Sequence, residues 1–397
     1  MPKALEDLKV LDFTRMYAGP FCPMLLAEMG ADIIKVEIPG SGDAVRTLPP
    51  ITDGDESYIF VILNRGKKSI TLNLASEKGR DICRQLVEKV DVVIENFAPG
   101  VMSRLGMGYE DLKKINPKII YASLSGFGQN GQNSSLVAFD TVAQAMGGLM
   151  AVNGFPDSPP LKTAPALADF LGSYYTTISI LSALHYRDVT GEGQSIDISL
   201  QDCVWALTSI QHSPGYFLTG EPPQKIGNRQ PEATPFNVYP AKDGHIVIAI
   251  VTVGQWDKFA SLIGRDDLVG DPRYRTVKER IKHIDMIDEM VEKWTKTKTI
   301  DEIQAEFKEV RLACSPVPTF DQVANDAHLL ERDMISEVEQ AISGTLKVPG
   351  SVFKMSQTPG DPTNPAPFLG EHNRDVYFDL LGFDADEVDK LKGDGVI

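Results

Sequence analysis

Four carboxylates, Asp169, Asp140, Glu95 and Asp202, are the side chains of this 397-residue chain best placed to do chemistry, and Asp169 leads them. It stands at the mouth of the apolar stretch Leu161 to Asp202, where Phe170, Leu171, Tyr174, Tyr175, Ile178, Leu181 and Leu184 recur at steps of three and four. That spacing predicts a helix with one buried face, stopped by Gly191 and Gly193. Pro165 and its small neighbours put Asp169 at or near the first turn. Two roles are open to an aspartate there. It can cap the helix, or it can be a nucleophilic carboxylate held ionised by the helix dipole.

Other chemistries have little support. No GxSxG occurs, so the nucleophile elbow of the hydrolases is absent. The six histidines, His185, His212, His245, His283, His328 and His372, show no HxxxH or HExxH spacing, which argues against metal catalysis and a histidine triad. Four scattered cysteines without CxxC read as reduced thiols. Lys and Arg total 39 against 55 Asp and Glu, a net charge of -16, and a nucleic-acid partner is not expected. The opening MPKALEDLKV lacks the apolar core of a signal peptide and no run approaches the ~18 apolar residues of a membrane span. A soluble cytoplasmic protein with no membrane partner is expected. Against this acidic background, Arg65, Lys67 and Lys68 in NRGKKSITLNL stand out. Val61 occupies the first glycine position of a P-loop, so the cluster is either a solvated turn or a separate phosphate site.

The elements that must position these groups begin with a βαβ unit: strand Lys9 to Phe13, helix Pro20 to Met29, strand Ala31 to Glu37. Its turn, Tyr17-Ala18-Gly19-Pro20-Phe21, has no GxGxxG, and Pro20 removes an amide that could face a phosphate, so NAD binding is not expected. Further strands at Ser69 to Leu74, Val92 to Glu95, Lys118 to Ser123 and Gln194 to Leu200 alternate with helical patterns. Alternation of this kind predicts a parallel sheet, with Ala18, Gly40 and Asn96 on the rim where ligands sit. The loop SGFGQNGQNSS is either a mobile cover or a plain surface loop. Asp202 to Ile210 reads as a helix, and Pro214 to Pro235 as a linker. A hairpin, Val238 to Ala241 with His245 to Val251, and helices at Gln255 to Ile263, Val277 to Thr297 and Ile300 to Glu309 follow. The predicted fold class is α/β: a large Rossmann-like parallel-sheet domain begun by residues 1–213, a linker over 214–235, a smaller α+β domain over 236–318, and a return segment, 319–397, that completes the large domain. The prolines of that return read as a strap packed over another surface.

The blocks VLDFTRMYAGPFCPMLLAEMGADIIKVE, GSGDAVR, NRGKKSITLNL, VVIENFAPG, ALADF with TGEGQSIDISLQD, TPFNVYPAKDGHIVIA and LGEHNRDV resemble the class III CoA-transferases over nearly the whole chain. That group includes formyl-CoA transferase, carnitine CoA-transferase and the 2-methylacyl-CoA racemases. The resemblance implies a two-domain α/β subunit interlocked with a second copy as a homodimer. It implies that Asp169 attacks an acyl-CoA to give an acyl-aspartyl anhydride, which the released thiolate converts into an aspartyl-CoA thioester before an acceptor carboxylate reverses the exchange. It places CoA contacts at Tyr17, Ala18, Leu72, Asn73, Leu74, Ala75, Asn96, Phe97, Ala98, Arg104, Val137, Ala138, Phe139 and Asp140. Neither a metal nor a redox cofactor is implied; the coenzyme A thioester is a substrate, and the partners are an acyl-CoA and a small carboxylic acid.

Some positions depart from the family pattern. Arg15 and Tyr17 stand where relatives often carry His or Gln, and Ile38 stands where they carry a basic residue. Arg46, Arg65 and Lys68 are the candidates to replace that phosphate contact. GNRQPEATPF replaces the glycine run of formyl-CoA transferase, which disfavours formyl-CoA with oxalate; a small organic or hydroxy acid is the expected acceptor. Racemisation is the alternative within this fold, but no histidine stands near Ser125-Gly126-Phe127-Gly128 to move a proton. A non-catalytic acyl-CoA-binding protein is the other alternative.

Overall fold

A computed structural model describes residues 3–397. The chain forms two compact units. The first runs to Leu149 and adds Lys162–Glu221 and Ala327–Ile397; the second holds Met150–Leu161 and Pro222–Asp326.

Short segments that each contain Val or Ile make the strands of the first unit: β1 (Lys9–Asp12), β2 (Asp32–Glu37), β3 (Lys68–Thr71), β4 (Val92–Glu95), β5 (Ile120–Ser125) and β6 (Ser195–Ser199). Nearly every residue of β1 to β5 is buried, as in strands covered on both faces, whereas β6 at the sheet edge is partly exposed. They form one sheet in the order β3-β2-β1-β4-β5-β6, with every neighbouring pair parallel. Because the order reverses between β1 and β4, the loops leaving these two strands part at the rim and open a crevice there.

Helices α1 (Ala18–Glu28), α2 (Tyr58–Asn64), α3 (Glu77–Val87), α4 (Val101–Arg104), α5 (Tyr109–Leu112), α6 (Asp140–Met146), α7 (Leu149–Val152), α8 (Leu167–Thr190) and α9 (Leu200–Thr219) follow in chain order. Leu11, Ile34, Ile70, Val93 and Tyr121 face α3 in one core. Val10, Ile33, Val92, Ile94, Ala122 and Ile196 form the other, against residues of α1 and α8.

Two expectations are corrected here. The buried face of α8 is not the aromatic stripe: Ala168, Gly172, Ser173, Thr176, Thr177, Ile180 and Ala183 point inward, while Tyr174, Tyr175 and Ile178 are exposed. Close packing is the reason, since a Cβ on Gly172 would lie 2.5 Å from Leu200 Cδ2. The linker also does not begin at Pro214. Helix α9 carries that proline inside it and ends on Gly220, in the left-handed region at φ 75°.

The second unit is built on an antiparallel sheet of β7 (Phe236–Pro240), β8 (His245–Ala249) and β9 (Ala313–Pro316). Helices α10 (Val253–Leu262), α11 (Val277–Ile281), α12 (Ile284–Thr295) and α13 (Ile300–Val310) accompany it, so the single helix predicted over 277–297 is two, separated at Lys282-His283. Its core gathers Ile246, Ile248, Trp256, Phe259, Ile287, Val291 and Phe307.

After short helices α14 (Phe320–Ala324) and α15 (Ala327–Glu331), the chain makes an unpredicted hairpin of β10 (Ile335–Gln340) and β11 (Gly344–Pro349) and ends in α16 (Ala385–Gly393). The proline strap between them covers the open edge of β3. Gly66 N donates to Pro365 O, Ser69 N to His372 Nδ1 and Thr71 N to Asn373 Oδ1. The block LGEHNRDV thus takes up edge amides that would otherwise invite another strand. No helix among the described residues is long and apolar enough to cross a membrane.

Candidate active site

The crevice is lined by the loop after β1, and side chains hold both polar backbone atoms of Thr14 and of Arg15 and the amide of Met16. Asp12 Oδ1 accepts the Thr14 amide at 2.8 Å, and Lys35 Nζ donates to Thr14 O at 2.7 Å. Asn96 bridges Arg15, accepting its N–H at 2.8 Å and donating to its carbonyl at 2.9 Å. Asp43 accepts the amide of Met16, which sits in the left-handed region at φ 67°. A methionine adopts that conformation only where its surroundings insist. The charges behind the loop are buried and paired: Lys35 with Asp43 at 3.0 Å, Lys67 with Asp12 at 2.9 Å. Burial pulls the Lys67 ammonium down to about 8 despite the opposing attraction of Asp12.

This network corrects the phosphate assignments. Arg46 is bound by Glu37 through two bonds of 2.8 and 2.7 Å and by Pro367 O. Burial raises the Glu37 carboxyl, but Arg46, Lys35 and Ser69 together hold it below the usual range. Arg65 is buried against Glu28. Lys68 pairs with Asp32 at 2.8 Å at the amino end of its strand, the opposite end from the crevice. Asp43 of the GSGDAVR block and Lys67 of the NRGKK block therefore brace the loop, and the three cations Arg46, Arg65 and Lys68 are already neutralised.

A cavity of ≈ 420 Å³ opens at the carboxyl ends of β1 to β4. Leu72, Asn73, Leu74, Ala75 and Phe97 line it together with Phe13, Ile38 and Leu105. Arg15 is the one cationic residue on its wall, with its guanidinium 4.9 Å from the centre of the Phe97 ring. Composition did not single out Arg15; its place directly after β1, at the point where strand order reverses, is the signal that could have found it. Asn96 turns its side chain to the backbone of Arg15, Ala98 and Arg104 are exposed beside the cavity, and Val137 and Phe139 are 81% and 68% exposed. Ala138 packs on Gly126, whose missing Cβ would stand 2.3 Å away.

Asp169 is the third residue of α8, half-buried, and does not cap it: Ala166 holds the N-cap position and offers no side-chain bond. The cap comes from Asp140. Its Oδ1 accepts the Ala168 amide at 2.8 Å, its Oδ2 accepts from Gln144 at 2.7 Å, and Gln144 in turn accepts the Thr163 amide at 2.9 Å. No local pattern could announce a cap supplied 28 residues away. Burial first, and the Asp140 charge second, push the Asp169 carboxyl up to about 7. The single Ser173 hydroxyl proton, one turn on, is shared between Asp169 O (3.0 Å) and Ala18 O, which ties the start of α8 to the start of α1 beside the crevice loop. Edge-on contacts of Phe21 with Phe170 and Tyr174 reinforce this. Tyr17, half-buried, is the N-cap residue of α1 beside it.

Residues 5–373 match the sequence model of CoA-transferase family III. The chain belongs to that family. Among its relatives is a succinyl-CoA–D-citramalate CoA-transferase of Chloroflexus aurantiacus, 36% identical over 100% of this chain and 98% of the relative. A succinyl-CoA:mesaconate CoA-transferase of Haloarcula marismortui is 38% identical over 96% and 97%. A formyl-CoA:oxalate CoA-transferase of Streptomyces avermitilis is 35% identical over the full length of both. The crystal structure of a CAIB/BAIF family protein from Brucella suis superposes with a TM-score of 0.84 at 34% identity, covering 96% of this chain and 100% of that one. This family III member is an enzyme of the CoA-transferase class.

Proposed function

We propose that this protein moves CoA from an acyl-CoA donor to a free carboxylic acid through an anhydride and then a CoA thioester on Asp169. The observation that carries the reading is the half-buried Asp169 carboxyl in the first turn of α8, where the Ser173 hydroxyl bridges the backbone carbonyls of Asp169 and Ala18 and so holds that turn against the start of α1, next to the crevice loop. A half-buried carboxyl poised near neutrality is a stronger nucleophile than a solvated one once ionised. It needs no base, because a carboxylate carries no proton to remove. The cavity takes the nucleotide end of CoA, with its adenine against the apolar walls of Leu72 to Ala75 and Arg15 in the place of the cation that Ile38 lacks.

The names of the relatives at 36% and 38% identity support succinyl-CoA as donor and a dicarboxylic or hydroxy acid such as citramalate or mesaconate as acceptor. The segment GNRQPEATPF favours these over formyl-CoA with oxalate. The test is a mass-spectrometric screen of succinyl-CoA and formyl-CoA against citramalate, mesaconate and oxalate. A new acyl-CoA from a succinyl donor supports the reading, and turnover confined to formyl-CoA with oxalate contradicts it.

The subunit acts as a two-domain homodimer in the cytoplasm. The exposed apolar side chains of α8 and α9, Ile178, Trp205, Ile210 and Phe217 among them, support a second copy as what covers them. Free cysteines, three of them buried, fit a reducing compartment. Sedimentation of a monomer at micromolar concentration removes the dimer.

A further inference from the structure

A second cavity, of ≈ 330 Å³, lies on the α3 side of the sheet, so that the sheet separates it from α8 and Asp169. It shares no lining residue with the cavity at the crevice. Its floor is a row of three neighbouring strand residues, with Glu95 opposite Ser123 and Ser123 opposite Asp197. Tyr121 and Ser195 form the adjoining pair, Ser103 and Tyr109 add polar groups, and Gln129 and Asn130 come from the SGFGQNGQNSS loop.

The chemistry of this wall is unbalanced. Glu95 is 4% exposed and accepts the Phe97 amide at 2.8 Å, and Asp197 accepts the Gln129 amide through both oxygens at 3.1 and 3.0 Å. No lysine or arginine is among the lining residues to neutralise either carboxylate. Tyr121 is also 4% exposed, yet its hydroxyl, like the Gln129 Nε2, has no hydrogen-bond partner. Buried polar atoms are seldom left so, and two carboxylates without a cation beside an unsatisfied phenol describe a space shaped for something else.

We propose that this cavity is a ligand site for a compact monovalent cation carrying N–H donors, of the primary ammonium class. The ammonium group donates to Glu95, Asp197 and the Tyr121 oxygen, and the volume leaves room for a short alkyl chain. Bare metal ions are the poorer fit, because only two carboxylates line the space and it is wide for one unhydrated ion. The site stands independently of the transfer reaction.

Thermal melts of the full chain in methylammonium, tetramethylammonium and potassium chloride at matched ionic strength test it. Methylammonium is expected to raise Tm saturably while the other two do not. Tyr121→Phe should weaken its apparent Kd by about tenfold or more, the size of a lost charge-assisted hydrogen bond. Asp197→Asn should abolish the response. Asp197 is exposed and Tyr121→Phe keeps the ring, so one of these variants folding normally by circular dichroism is enough to decide. Equal shifts from all three salts, stabilisation by potassium alone, or variants that respond like the wild type overturn the proposal.

Discussion

Replacing Asp140 by asparagine should move the titration of Asp169 without touching Asp169 itself. The wild-type carboxyl sits at about 7, with burial the larger cause and the Asp140 charge the second. Removing the Asp140 charge should lower that midpoint, and a shift of about one unit, the scale on which neighbouring carboxylates couple, is the expectation. The carbonyl oxygen of the introduced asparagine still accepts the Ala168 amide, so the cap survives. At pH 6 the ionised fraction of Asp169 then rises from roughly a tenth to roughly a half, and transfer, which requires the carboxylate, speeds up about fivefold. At pH 8 it should be unchanged. The amide nitrogen of the new side chain meets the Gln144 Nε2 donor, so a stability loss of about 1–3 kcal/mol accompanies the shift. Carbon-13 NMR of aspartate-labelled protein, with Asp169 assigned by its loss in Asp169→Asn, reads the midpoint apart from activity. A wild-type midpoint near 4, or a midpoint that Asp140→Asn leaves in place, refutes this electrostatic account.

The same carboxyl binds its proton more tightly in the folded chain than at its ordinary value of 3.8. Its contribution to stability is therefore full below that value and lost as pH rises through about 7, so Asp169→Asn should melt higher than wild type at pH 8 but not at pH 4. Arg15→Gln should raise KM for acyl-CoA about tenfold or more and leave kcat nearly unchanged, since the lost bond serves ground state and transition state alike; an equal fall in kcat with KM constant is the contrary result. Lys67→Met leaves Asp12 buried without its cation and should cost about 3–5 kcal/mol by denaturant melts, whereas Lys68→Met, at an exposed pair, should cost no more than about 1 kcal/mol.

The parallel sheet was legible because the strands are short Val- and Ile-containing segments, most of them with glycine, proline or asparagine nearby, and strand and helix patterns alternate. The start of α8 was legible from Pro165 and its end from Gly191. What periodicity could not supply was direction. Phe170, Tyr174 and Ile178 mark a helical stripe whether it meets the core or a second chain, and here the tight approach of Gly172 to Leu200 turned the small face inward. The basic residues failed for a related reason. Arg65 and Lys67 look like a phosphate site in a linear reading because their acids, Glu28 and Asp12, lie 37 and 55 residues away. Asp140 as the cap of α8 and Arg15 as the cation of the crevice are likewise products of long-range pairing and strand order, which no local window contains.

The central claim is that Asp169 becomes covalently attached to substrate. Incubation with an acyl-CoA donor and no acceptor, followed by hydroxylamine and peptide mass spectrometry, tests it directly. A hydroxamate on the peptide carrying Asp169, absent from Asp169→Asn, is the predicted result; an unmodified peptide from enzyme that turns over, or full transfer by Asp169→Ala, contradicts it.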